Sequence, residues 1–485
     1  MKSVCEPILS SNERGAENTH WVDQEVLASK FKDERLGKRF KTVLRQLSEA
    51  TAESIPWACQ DWASTKAAYR FFDNERVSED EILSGHFRST RERFAGTQGK
   101  ILILHDTTQL SYRRQNIGLL HKPKYAANAK SDRWRDENPL CGISMHSSLA
   151  VTQAGLPLGL AAIKFWTRKK FKGANALRGH INGTRVPIDQ KESLRWLQNV
   201  QQSSGLLGEA ERCVHIGDRE SDIYELFCAA YDAGTKFLIR TCANRKARDR
   251  MTTMEQEMEE VPLKGIHRLQ VRDKTGTISE AVLELKCKRM RIFPSIDKGS
   301  KYPPLMVTVI HAKERTSSKA REKIEWKLIT NLPVTSRQDV VEKLNWYAMR
   351  WKIEVFHKIL KSGCRVEESG LRTAERLVNI IATCCILAWR IFWMTMVTRS
   401  DPEAKPQIAL TQMEMDVLDQ LNQNTATPRA PLNNLSHYIT RIAILGGYLG
   451  RANDPVPGNI VMWRGLARLT DIVLGASIGC QIVGN

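Results

Sequence analysis

Two short apolar runs, each leading to an aspartate, do most to limit the folds open to this chain. In KILILHDTTQLSY the residues Ile101 to Leu104 run without a break towards Asp106, and ERCVHIGDRESDIYELF repeats the arrangement ahead of Asp218. Unbroken apolar runs of this length suggest strands buried on both faces. A helix is expected to open near Ser221 or Asp222, and KFLIRTC reads as the last strand of the block. Two more strands are expected in SMHSSLAVT and LPLGLAAIKFW, parted by a turn at Ala154 and Gly155, and a helix in DQKESLRWLQNVQQ. An aspartate at the end of a buried strand needs a reason, because desolvating an uncompensated carboxylate is costly. Metal ligation supplies one, since Mg2+ or Mn2+ is held by one or two carboxylates together with substrate phosphates. Taken singly, each aspartate is more often a turn residue or an ion-pair partner.

A third carboxylate lies in YAMRWKIEVFHKILK, Tyr347 to Lys361. At about 100° per residue, Tyr347, Arg350, Glu354 and Lys361 return to nearly one line of a single helix. Trp346, Met349, Ile353, Phe356 and Leu360 form an apolar face beside that stripe. Ser336 and Asp339 resemble a capping box at the start, and Gly363 stands where a helix often stops. Glu354 can therefore complete a set with the two aspartates, while a solvated face with an Arg350 and Glu354 pair is the plainer alternative.

The 485 residues give room for about three domains of ordinary size. A formal charge of +19 is expected to attract a polyanion, nucleic acid first, although a merely basic soluble protein carries the same excess. The 11 cysteines form no CxxC pair and the 11 histidines no zinc-like spacing, which fits a reducing cytoplasm and excludes a structural zinc motif. No phosphate-binding glycine loop is present, and MKSVCEPILSSNERG lacks the continuous apolar core of a secretory signal. LVNIIATCCILAWRIFWMTMV has the length of a membrane span, but Arg390 would cost about 2.5–3.5 kcal/mol in lipid. With Asn379 also inside it, the segment is expected to be a buried helix, with no membrane as a partner.

Residues 20–90 are helical in pattern and rich in basic residues. Lys38, Arg39, Lys41 and Arg45, in and after the turn-like ERLGKR, suit a module that docks on phosphates, and equally a solvated surface. Between about 243 and 325 the texture turns alternating and charged, as expected of an antiparallel β-rich insertion. Residues 401–435 read as a polar linker before a final helical part around LSHYITRIAILGGYLG and MWRGLARLTDIVLG.

HDTTQLSY, HIGDRESDIYELF and the spaced set Tyr347, Arg350, Glu354 and Lys361 together resemble the DDE transposases of the insertion-sequence-four group, to which the transposon-five transposase belongs. The spacing matches that group's Y-R-E-K signature. AAYRFFDNERVS, DQKESLRW and RIAILGGYL look like further segments of the same family. The resemblance implies an α/β fold: an RNase H-like mixed-sheet catalytic core over 91–400, interrupted by the β-rich insertion. An N-terminal helical DNA-binding module over 1–90 and a C-terminal helical dimerisation module over 401–485 would flank it. It implies Asp106, Asp218 and Glu354 as catalytic metal ligands for two Mg2+ ions, replaceable by Mn2+. It further implies a cut-and-paste endonuclease that acts as a homodimer on inverted terminal repeats, cleaves through a hairpin and joins the ends to target DNA in the bacterial cytoplasm. By position, Trp326 matches the family's base-stacking tryptophan and Arg240 a basic residue of the same pocket, with Tyr347, Arg350 and Lys361 holding phosphates. RRQNIGLLHKPKYAANAKSDRWRDENPLCG departs from the family's pattern.

Overall fold

The computed structural model describes residues 20–27, 29–50, 53–113, 140–167, 187–272, 278–315, 322–422, 434–451 and 454–483. The extreme N-terminus and most of the basic stretch after Asp106 lie outside the described residues. Five helices open the described chain: α1 (Trp21–Val26), α2 (Glu34–Glu49), α3 (Ile55–Cys59), α4 (Trp62–Phe72) and α5 (Glu79–Ala95). The turn-like ERLGKR is in fact the start of α2. Asp33 caps that helix by accepting from Arg35 N, and strong helix formers around Gly37 outweigh its cost of about 1 kcal/mol.

A mixed sheet follows, built from β1 (Ile101–Arg113), β2 (Leu140–Thr152), β3 (Pro157–Trp166), β4 (Cys213–Gly217) and β5 (Lys236–Arg240). Helices α6 (Leu194–Leu207) and α7 (Tyr224–Asp232) precede and follow β4. Strands β1, β4 and β5 are parallel, whereas β2 runs antiparallel to β1, and β3, at the sheet edge, antiparallel to β2. Next come β6 (Lys246–Ala247), β7 (Thr252–Thr253), the helix α8 (Met254–Glu259), β8 (Gly265–Arg272), β9 (Ile278–Ile292), β10 (Leu305–Glu314) and β11 (Glu325–Thr330). Strand β11 returns to pair with β5, so the β-rich stretch extends the same sheet in the order β3-β2-β1-β4-β5-β11-β10-β9-β6-β7, with β8 on β9. A large mixed sheet with helices at both ends of the chain is consistent with an RNase H-like core.

Asp106 differs from its sequence reading. It lies inside β1 rather than at its end, because β1 continues to Arg113 against β2. Its pairing with β4, however, stops at Leu104 opposite Ile216. Asp106 therefore sits just past the carboxyl end of the parallel pair, where such sheets open a crevice.

The Tyr347 to Lys361 segment is also not one regular helix. It divides into α9 (Arg337–Ala348) and α10 (Trp351–Lys358), followed by a π-helical turn over Ile359–Gly363. At the junction Arg350 N donates to Tyr347 O, Lys352 N to Met349 O and Ile353 N to Arg350 O, three-residue bonds that wind the chain tighter than an α-helix. The predicted capping box is present: Asp339 N donates to Ser336 Oγ at 3.1 Å, and Ser336 N to Asp339 Oδ2 at 2.9 Å.

Helices α11 (Ala374–Ser400), α12 (Gln412–Asn422), α13 (Leu435–Leu445) and α14 (Asn459–Val483) complete the fold. The expected linker thus contains a helix: Thr411 hydroxyl and backbone N both donate to Glu414 and anchor its first turn, and Met415 and Leu418 are buried. Among the described residues α11 alone is long and apolar enough to cross a membrane, and it is buried within the fold. The two residues that speak against a span, Asn379 and Arg390, are satisfied there. Asn379 donates to Val77 O at 3.0 Å and Arg390 to Ala409 O at 2.6 Å, with the Arg390 guanidinium 4.7 Å from the Trp393 ring. Burial lowers the Arg390 pKa to about 10. Buried residues from Val22 to Leu469 form one continuous core through the N-terminal helices, the sheet and the C-terminal helices.

Candidate active site and nucleic-acid-binding module

The three carboxylates come from three elements that meet at the β1 and β4 crevice. Asp106 is on β1, Asp218 follows β4, and Glu354 is on α10. Asp218 begins a short 3-10 turn, where its carboxylate accepts from Glu220 N at 2.9 Å and its carbonyl from Ser221 Oγ at 2.6 Å. Gly217 makes that turn possible, because a Cβ there would stand 2.2 Å from Ser221 Oγ. The same loop is held to the exit of β5 by Asp222, which accepts from Cys242 N at 2.8 Å and Ala243 N at 2.9 Å and pairs with Arg245 at 2.6 Å.

The carboxylates feel one another. Burial pushes the Asp218 pKa up, the charges of Asp106 and Glu354 push it the same way, and the Glu220 amide and Arg350 oppose them. Glu354, whose side chain is 55% exposed, pairs with Arg350 at 2.6 Å. Among the described residues no three His, Cys, Asp or Glu side chains are gathered tightly enough to enclose a metal ion unaided. The plainer alternative, an ion pair on the helix face, is thus real for Arg350 and Glu354.

Tyr347, Arg240 and Trp326 gather beside this group. The Tyr347 and Trp326 rings meet edge to face with centroids 5.3 Å apart. Burial raises the Tyr347 pKa, against the pull of the Arg350 and Arg240 charges at its hydroxyl. Arg240 also donates to Glu325 O at 3.1 Å, spanning β5 and β11. Trp326 is half-buried, so one part of its ring stays open to solvent. Lys361 instead reaches back to β1, donating to Gln109 O at 2.7 Å.

Sequence reasoning missed a buried partner of Asp106. His357, one turn beyond Glu354 on α10, lies with Nδ1 3.5 Å from Asp106 Oδ2 and Nε2 2.8 Å from Ser147 Oγ. Ser147 faces Asp106 across the β1 and β2 ladder, so His357 bridges the two strands from above. Deeper in, His105 Nε2 lies 2.8 Å from His215 Nδ1, and His105 Nδ1 lies 2.8 Å from Ser148 Oγ. Burial holds both histidines neutral, with His215 lowered to about 3. The one available signal was the position of His357, three residues after Glu354 and so on the same side of a helix.

In the N-terminal helices, three of the four nominated cations are paired within the protein. Lys38 meets Glu34 at 2.9 Å, while Lys41 and Arg45 both meet Asp23, at 3.1 and 2.9 Å. Arg39 makes no ion pair among the described residues. Residues 18–77, which cover these helices, match the family described as transposase DNA-binding. The match supports a transposase that binds DNA. The match supports DNA as a partner, and the formal charge of +19 is in keeping with it.

Proposed function

We propose that this chain is a cut-and-paste DDE transposase of the insertion-sequence-four type, acting on the inverted terminal repeats of its own element. The observation that carries the reading is the placement of Asp106, Asp218 and Glu354 around the end of the parallel β1 and β4 pair, with the raised Asp218 carboxyl in keeping with it. Three hard oxygen donors that repel one another fit divalent ions whose remaining ligands come from DNA phosphates. Asp106, Asp218 and Glu354 would hold two Mg2+ ions, or Mn2+, which when bound would supply activation of the attacking oxygen and stabilisation of the leaving oxygen in phosphoryl transfer.

The protein's own groups do the rest. Arg350 exchanges Glu354 for a phosphate, gripping it through its planar fork and freeing the carboxylate for the ion. Tyr347 lends its hydroxyl to the same strand, and Lys361 acts as a point charge beside it. After the first nick, the freed 3′-hydroxyl attacks the opposite strand to close a hairpin. That bend forces a base from the stack, at a cost of a few kcal/mol, which Trp326 offsets by stacking and Arg240 by holding the adjoining phosphate. The hairpin is reopened and the end joined to target DNA. The C-terminal part, with Ile444 on α13, Leu449 in the loop after it and Leu474 on α14 exposed, pairs two subunits in the synaptic complex, and the reaction belongs in a bacterial cytoplasm.

The test is a cleavage assay with Mg2+ on duplexes bearing the element's ends. Glu354→Gln should abolish cutting and keep end binding, and retained cutting would sink the triad. Trp326→Ala should leave the first nick largely intact and slow hairpin closure, whereas equal loss of both steps would remove the base-stacking role.

A further inference from the structure

Pairing between β1 and β4 ends at Leu104 and Ile216, and Asp106 and Asp218 each stand two residues beyond it. The ladder between these strands is therefore exhausted before it reaches either aspartate, and something else must set how far apart they stand. One side chain spans the gap. Helix α6 opens within DQKESLRW, and its second residue, Arg195, sends each nitrogen of its guanidinium to a different partner. Nε donates to Thr107 Oγ1 at 3.3 Å, next to Asp106 on β1. Nη2 donates to Glu220 Oε2 at 3.3 Å, in the turn that Asp218 begins. Nη1 donates to Glu192 O at 2.7 Å, which curls the side chain back over the start of its own helix. The guanidinium also lies 4.9 Å from the Trp166 ring at the end of β3, and only 12% of the side chain is exposed.

The Thr107 end is anchored in turn. Its hydroxyl oxygen accepts from Arg195 and so turns its own proton to His146 Nδ1, 2.9 Å away. His146 is buried, and burial together with the Arg195 charge holds it neutral, as an acceptor needs to be. A lysine could not replace the arginine here. Its donors sit on one atom, whereas the three partners lie around a planar fork.

We infer that Arg195 is a positioning residue, whose fork ties the Thr107 and Glu220 segments together past the end of their ladder and so fixes the separation of Asp106 and Asp218. The inference rests on the proposed metal site, which those two aspartates serve. A strut and a mere charge act in opposite directions at such a site. A cation beside two carboxylates repels Mn2+, so if charge were all that Arg195 contributed, its removal would tighten ion binding. Removing a strut loosens the ligands and weakens it.

The test is Mn2+ binding by the full-length protein with a duplex bearing the element's ends, followed by paramagnetic resonance. Arg195→Gln and Arg195→Lys should each raise the Mn2+ dissociation constant about tenfold, as loss of an orienting partner does. Thr107→Val, which changes no charge, should raise it about threefold, and it carries the test if the Arg195 variants fail to fold. Affinity for the duplex should stay at the wild-type value in all three. Tighter Mn2+ binding in Arg195→Gln with none lost in Arg195→Lys would reduce the residue to a charge, and weaker duplex binding with intact Mn2+ affinity would make it a phosphate contact. Either result overturns the strut, as does wild-type Mn2+ binding in Thr107→Val. Mn2+ binding that Asp218→Asn leaves unchanged would instead overturn the metal-site reading beneath it.

Discussion

Glu25 and Asp218 are both drawn out of water, and the protein treats them in opposite ways. Glu25, whose side chain is 3% exposed, sits between α1, α5 and β3 with a partner on each oxygen: Arg93 Nη1 at 2.6 Å and His86 Nδ1 at 2.6 Å. Leu160 N donates to His86 Nε2 at 3.0 Å, which leaves the other ring nitrogen as the donor to Glu25. Burial raises the Glu25 pKa, yet Arg93 and His86 overcome it and hold the carboxyl at about 2. Asp218 has one backbone amide and two facing carboxylates, and its pKa is raised. The first carboxylate is finished by the fold. The second keeps a raised pKa beside two like charges, as expected of a carboxylate that serves the proposed chemistry rather than the fold.

The sharpest way to break the comparison is to neutralise each side in turn. Asp218→Asn should reduce cleavage roughly a thousandfold, the factor that several kcal/mol of lost charge stabilisation represents, while urea unfolding shows stability unchanged or slightly raised. Glu25→Gln should do the reverse in kind, removing about 3 kcal/mol of stability by leaving the half-buried Arg93 without its counter-charge. The pH dependence carries the same sign. Because the Glu25 pKa falls from 4.5 to about 2 on folding, its contribution is complete above pH 4.5 and is lost as pH falls towards 2. Urea midpoints across that window should drop in the wild type by the equivalent of about 3 kcal/mol and stay flatter in Glu25→Gln.

A smaller effect tests whether Asp106 belongs with Glu25 or with Asp218. His357→Ala should raise the Mn2+ concentration needed for half-maximal cleavage by about tenfold, and should weaken Mn2+ binding followed by paramagnetic resonance to the same extent. His357→Asn should recover part of both. An equal fall in stability with no change in Mn2+ requirement would assign His357 to packing alone. The smallest expected signal is thermal. Saturation with Mg2+ at tenfold excess over its dissociation constant should add about 1.4 kcal/mol, or about 1 °C in a chain this long. Asp106→Asn should erase that shift, whereas Glu25→Gln should keep it.

How far the sequence discloses these features follows from the range of the interactions. Strands β1, β4 and β5 are legible because unbroken apolar runs need no distant partner to be recognised, and the Ser336 capping box is local by nature. The meeting of Trp326, Tyr347 and Arg240 could be expected from the family resemblance. Its cause, β11 returning to pair with β5, involves residues 85 apart such as Arg240 and the Glu325 carbonyl. The bridge from His357 to Ser147, 210 residues apart, leaves no periodic trace. The tightened turn at Arg350 and the π turn after Lys358 were hidden for another reason, since both form from residues that favour an ordinary helix and depend on tertiary packing, the π turn on α11 and α14. Helix α12 escaped because its flanking Pro and polar residues read as linker.

Helix α11 has a consequence for how the chain is made. It is the one described segment that a membrane-insertion machinery could mistake for a span, yet it leaves the ribosome after α4, α5, β3 and α10, against which much of it packs. A chain synthesised in the N-to-C direction therefore offers this helix a docking site at the moment it emerges. Moving α11 ahead of β1 by circular permutation would remove that protection, and the rearranged protein should aggregate or partition into membranes during synthesis even where its finished fold is the same.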